Sequence, residues 1–116
     1  MRKWVLFPGR FQPFHDGHEA VVRTLLGRGH SVLIMPMRCM GMDWQENPYR
    51  DDEREAMVRW QFAEEIADGT VAVQFIPPIA GVAYGRKPGW ERIKVRLGAT
   101  TEAISGTKIR QDIGHA

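Results

Sequence analysis

Apolar and polar positions divide the first three quarters of the chain into alternating short runs and helical stripes. Lys3 to Phe7 is a nearly unbroken apolar run closed by Pro8-Gly9, which predicts a strand buried on both faces of a parallel sheet. From Gly17 the spacing changes: Ala20, Val21, Val22, Leu25 and Leu26 share one helical face, and Gly27 and Gly29 stop the helix. Ser31 to Met35 predicts a second buried strand, ended by Pro36. After a loop of 14 residues, Asp51, Asp52 and Glu53 supply the acidic first turn that a helix dipole favours. That helix is expected to reach about Ala67, with Met57, Val58, Phe62 and Ile66 inward. Thr70 to Ile76 predicts a third strand, stopped by Pro77-Pro78. Residues 77–90 read as irregular, Arg92 to Leu97 alternates like a half-exposed edge strand, and a short helix is expected from about Gly106 to Asp112.

Strands alternating with helices imply right-handed crossovers. The expected fold is α/β: a compact Rossmann-like parallel sheet of about four to five strands with helices on both faces, one domain over residues 1–116. In such sheets ligands bind beyond the carboxyl ends of the strands, here segments 8–18, 36–50, 77–90 and 98–108.

Composition narrows the class further. An apolar fraction of 43% over 116 residues is ordinary for one globular domain and argues against disorder. A net charge of +2 is too small a surplus to indicate nucleic acid. The single cysteine, Cys39, excludes an intrachain disulfide framework, and no run is apolar enough for a signal peptide or membrane span. The expectation is a cytoplasmic protein that binds neither nucleic acid nor membrane.

Chemistry concentrates in the segment after the first strand, PGRFQPFHDGH. Gly9 is placed to let the backbone approach a phosphate, and Gly17 sits where the helix N-terminus begins. His15 and His18, three residues apart, can face the same side and offer imidazole N–H groups to phosphate oxygens. The plain alternative for an H-x-x-H pair is a helix cap plus a surface histidine. A metal site lacks a third ligand, since His30 and His115 stand alone in the sequence. Near the other end, Ser105 and Thr107 offer hydroxyls and backbone donors at a helix start, with Arg110 as a charged fork; alone, that stretch is a capped basic helix. Met35, Met37, Met40 and Met42 read as gap-fillers, and Trp44 and Trp90 as loop aromatics suited to packing or to stacking on a base.

The string GRFQPFHDGH resembles the H-x-G-H signature of the nucleotidyltransferase superfamily, whose members transfer a nucleoside monophosphate from ATP or CTP. Its flank is similar to the branch of archaeal-type nicotinamide-nucleotide adenylyltransferases, whereas pantetheine-phosphate adenylyltransferases and cytidylyltransferases usually carry G-T-F-D there. Asn47-Pro48-Tyr49 with Glu53-Arg54 resembles the N-P-F-x-x-x-E-R stretch of that branch. Ile104-Ser105-Gly106-Thr107-Lys108-Ile109-Arg110 resembles the second nucleotide motif, I-S-S-T-x-I-R, with Gly106 a variant.

The resemblance implies AMP transfer from ATP to a phosphate-bearing acceptor with release of pyrophosphate, nicotinamide mononucleotide first among acceptors. The alternatives are adenylyl or cytidylyl transfer to another phosphorylated acceptor, such as phosphopantetheine or an alcohol phosphate, and a nucleotide-binding module without turnover. It further implies that His18 contacts the charge on the α-phosphate while His15 and Arg10 hold the triphosphate. Gly9, Phe11, Gly17, Ser105, Thr107, Lys108 and Arg110 then bind the nucleotide; Asn47, Pro48, Arg54, Trp44 and Trp90 line the acceptor side. Mg2+ is expected to ride on the nucleotide phosphates, with no protein metal site. Relatives on this branch are longer, and IAGVAYGRKPGW, with Tyr84, Arg86 and Lys87, stands where they carry a further strand–helix unit. A homo-oligomer, one subunit helping to close another's site, is therefore expected.

Overall fold

The computed structural model describes residues 2–39, 41, 43–86 and 89–97. Three parallel strands lie in the order β1-β2-β3: β1 (Trp4–Gly9), β2 (Ser31–Pro36) and β3 (Val71–Val73). Between them run α1 (Asp16–Gly27), α2 (Asp51–Gln61) and α3 (Ala63–Asp68). The parallel sheet with crossover helices agrees with the sequence reading; the number of strands does not. Among the described residues there are three, because Arg92–Leu97 forms no ladder. It keeps the alternation it promised: Ile93, Val95 and Leu97 are half-buried, and Ile93 and Val95 pack against the core. The motif from Ile104 to Arg110, the closing helix and Lys87 lie outside the described residues.

Side-chain alternation shows where the helices sit. Val32 and Ile34 of β2 are fully buried in one cluster with Val22 and Leu25 of α1 and with Val58 of α2 and Phe62. Both crossovers therefore cover the same face of the sheet, as expected when successive right-handed units move in one direction. Among the described residues no helix covers the opposite face, which carries Trp4 and Leu6, and Leu6 is 56% exposed. The described helices α1, α2 and α3 lie on one face, and the closing helix expected from about Gly106 to Asp112 lies outside the described residues. β1, expected to be buried on both sides, is an edge strand among the described residues, exposed and half-buried in alternation.

Two element boundaries also move. The long helix is split at Phe62, whose φ of −119° and ψ of 31° leave helical space while its ring packs edge-on against Phe14 and under the Arg23 guanidinium. β3 is only three residues long, but Gln74 and Ile76 still donate to the Ile34 and Pro36 carbonyls, and Arg38 donates back to Ile76. This pairing carries the ends of β2 and β3 together to the level at which a ligand crevice is expected.

Candidate functional site

The loop from Arg10 to Phe14 turns off β1 at Phe11, a non-glycine residue with φ of +50°. That conformation is sterically unfavourable and persists only where packing determines it. Phe11 is 3% exposed, with its ring edge-on to Phe7 and Phe14 at centroid distances of 5.2 Å each. Gly9 makes room for it: a Cβ there would meet the Phe11 ring at 2.8 Å. The lack of a Cβ at Gly9 thus admits an aromatic ring, and the Phe11 side chain is a buried wall of the loop.

The loop delivers the two histidines to the start of α1. Gly17 N donates to His15 Nδ1 at 3.0 Å, and His15 N donates to His18 Nδ1 at 3.1 Å. The imidazoles therefore cap the helix, in part as the plain alternative held, but they stack face to face at 3.8 Å and neither is merely a surface residue. Because each Nδ1 accepts a hydrogen bond, each neutral ring carries its proton on Nε2. His18 is enclosed by Phe7, Phe11 and Phe14, with Phe11 edge-on at 4.8 Å. Burial, and secondarily the adjacent His15, pushes its pKa down to about 3. Burial also lowers His15, against the opposing pull of Asp16. The result is a pair of uncharged N–H donors beside the amino end of a helix, suited to anionic oxygen.

The loop after β2 meets the loop after β1. The Gln12 amide, 2% exposed, clamps Tyr49: Nε2 donates to the Tyr49 carbonyl and Tyr49 N donates to Oε1, both at 2.9 Å. Sequence reasoning passed over Gln12. The available signal was a polar residue inside the apolar run Phe11–Phe14, which must find partners if buried. Arg10 is exposed, and its Nη1 donates to Asn47 Oδ1 at 3.3 Å. Trp44, Asn47, Pro48 and Tyr49, with Cys39 and the first turn of α2, line a cavity of about 520 Å³. A second depression, about 470 Å³, lies by His30, Ser31 and Thr70 at the amino ends of β2 and β3, the wrong end for a ligand in this kind of sheet.

The structure therefore brings Arg10, His15, Gly17 and His18 together at the loop and the start of α1, joined to the loop after β2 by the Arg10–Asn47 and Gln12–Tyr49 hydrogen bonds. Trp44, Asn47 and Pro48 line the cavity, and neither histidine does. Two proposed acceptor residues fall elsewhere. Trp90, 74% exposed, does not line the cavity. Arg54 is fully buried, its guanidinium bound to the Arg10 and Met37 carbonyls and to Asp51, so it cannot face an acceptor. Ser105, Thr107, Lys108 and Arg110 lie outside the described residues. Among those described, no group of three or more His, Cys, Asp or Glu side chains could hold a metal, and no helix is long and apolar enough to cross a membrane.

Residues 6–60 match the cytidylyltransferase-like family model. The chain is 46% identical over 59 residues to nicotinamide-nucleotide adenylyltransferase 1 of Sulfolobus acidocaldarius, covering 51% of this chain and 34% of that protein. It is 40% identical over 63 residues to the nicotinamide-nucleotide adenylyltransferase of Ignicoccus hospitalis, covering 54% and 37%. Among solved structures it resembles a bifunctional NMN adenylyltransferase/ADP ribose pyrophosphatase from Francisella tularensis, with a TM-score of 0.52 and 26% identity over 67% of this chain and 23% of that one. The chain thus spans about a third of the length of these curated relatives.

Proposed function

We propose that this chain, a member of the nucleotidyltransferase superfamily close to the archaeal nicotinamide-nucleotide adenylyltransferases, transfers AMP from ATP to nicotinamide mononucleotide, forming NAD and pyrophosphate. The observation that carries the reading is the stacked, neutral His15–His18 pair at the start of α1, with Arg10 on the same loop.

The acceptor phosphate attacks the α-phosphorus of ATP, a P–O bond forms as the bond to pyrophosphate breaks, and the acceptor needs no deprotonation because it is already anionic. The protein's task is alignment and charge stabilisation. His18 donates from Nε2 to the oxygen on which charge accumulates, and its aromatic enclosure keeps water from competing. His15 and Arg10 hold the triphosphate. ATP enters as its magnesium complex, the ion carried by the phosphates. Ser105, Thr107, Lys108 and Arg110 complete the nucleotide site on the strength of their motif. The cavity by Trp44 and Asn47 is the size of a small-molecule pocket and takes the acceptor, its ring stacked on the exposed Trp44. A second subunit covers the open side of the site.

The test is NAD formation from ATP and nicotinamide mononucleotide, with CTP and other phosphorylated acceptors in parallel. NAD formed from ATP supports the reading. Pyrophosphate released only with another acceptor would move the substrate assignment and keep the chemistry. ATP binding without pyrophosphate release from any acceptor would leave a binding module.

A further inference from the structure

Arg54 touches the chain beyond the carboxyl end of each of the three described strands. Its Nη1 donates to the Arg10 carbonyl after β1 at 2.8 Å and to the Met37 carbonyl after β2 at 2.7 Å. Its Cζ lies 5.7 Å from the centre of the Phe75 ring after β3. Nη2 is held by Asp51 one turn earlier on α2, and Nε has no partner. The side chain is fully buried. Burying a guanidinium is costly, and one that leaves a donor unmatched is a poor way to gain stability alone. Its geometry suits another task. A planar fork can hold two carbonyls and a carboxylate at once, which the single ammonium of a lysine cannot reproduce.

We propose that Arg54 is a positioning residue for the transfer reaction: it fixes the Arg10 backbone against the loop after β2, and so sets where the exposed Arg10 guanidinium meets the triphosphate. The inference rests on the nucleotide reading above. Among the described residues the Arg10 side chain makes one long hydrogen bond, to Asn47, so its reach depends on how its backbone is held. Arg54 holds that backbone from beneath while Gln12 clamps the same two loops from the side.

A double-mutant cycle between Arg54→Lys and Arg10→Ala tests it. With Arg10 present, Arg54→Lys should weaken ATP by roughly tenfold or more, as for a lost charge-assisted contact, while AMP binding changes little. In the Arg10→Ala background the same substitution should change ATP affinity by less than about twofold. In NAD formation the loss should fall on KM for ATP more than on kcat, as for a contact made equally in ground and transition states. Equal losses in both backgrounds, or unchanged ATP affinity, would overturn the proposal. If Arg54→Lys does not fold, Asp51→Asn, which frees the guanidinium from its other anchor, enters the same cycle with the same expectations. Amide exchange supplies a readout that needs no substrate: Phe11 and Arg38 should exchange faster in the variant, with Val22 and Val58 unchanged. No change at Phe11 and Arg38 defeats the strap itself. Faster exchange in a protein whose parent form binds no ATP would instead defeat the nucleotide reading, and with it the role assigned to Arg10.

Discussion

The loop from Arg10 to His18 and the segment from Pro77 to Leu97 look alike in the sequence. Each follows a strand, each is broken by glycine or proline, and each carries arginine and aromatic residues. In the structure they differ completely. The first buries Phe11, Gln12 and Phe14 and binds its polar atoms to α1 and to the opposite loop. In the second, Ile79, Val82, Tyr84 and Trp90 are between 50% and 75% exposed, and among its described residues Ile93 and Val95, near its end, return to the core. Arginine and aromatic residues in a loop do not make a site. A loop becomes a rigid one when its apolar residues fall close enough together to bury one another, because that burial offsets the entropy of fixing the backbone.

The sharpest way to strain this contrast is to remove its chemical centre. His18→Ala should keep the fold and lower turnover by roughly 10²–10³-fold, the effect of losing one donor to developing charge. Steady-state NAD formation at saturating substrates measures it, and near-parental turnover would end the assignment. Gly9→Ala attacks the packing instead. Its new methyl group meets the Phe11 ring, which is wedged among Phe7, Phe14 and His18 and has little room to yield. A loss of about 1–3 kcal/mol in denaturant unfolding is expected.

Acid tests the histidine enclosure more gently. An unfolded chain protonates His18 near pH 6.5, whereas the folded chain resists until about pH 3. Between those values the unfolded state binds the extra proton, so stability falls as pH drops, by about 1.4 kcal/mol per pH unit from this residue. It is flat from this source above pH 7. Urea unfolding free energies between pH 4 and 7 should fall more steeply with acid in the parent than in His18→Phe. The smallest effect is expected on the other side of the comparison: Val82→Ser should change stability by no more than about 0.5 kcal/mol. A larger loss would show that the exposed segment is anchored after all.

What the sequence conveyed, and what it did not, follows the same division. α1, β2 and the buried Val58 and Phe62 were legible because period and burial coincide there. β1 was misjudged because an apolar pentapeptide reads the same whether one flank or both are covered. The stacked histidines were legible as a pair, but not the way each Nδ1 accepts from the backbone at the start of α1. Arg54 was placed at an acceptor because an E-R motif gives the residue and not the direction of its side chain. Its burial is decided by three strand ends that meet only in the folded chain.

The exposure of the aromatic surface has an optical consequence. All four tryptophans are on the outside, from 37% exposed at Trp4 to 80% at Trp60. Unfolding will therefore shift the emission maximum little, and fluorescence is a poor reporter of denaturation in this protein. It is correspondingly a quiet background for binding. Trp44, at the rim of the cavity, is the indole best placed to be quenched or blue-shifted by a stacking ligand, while the emission of the other three changes less.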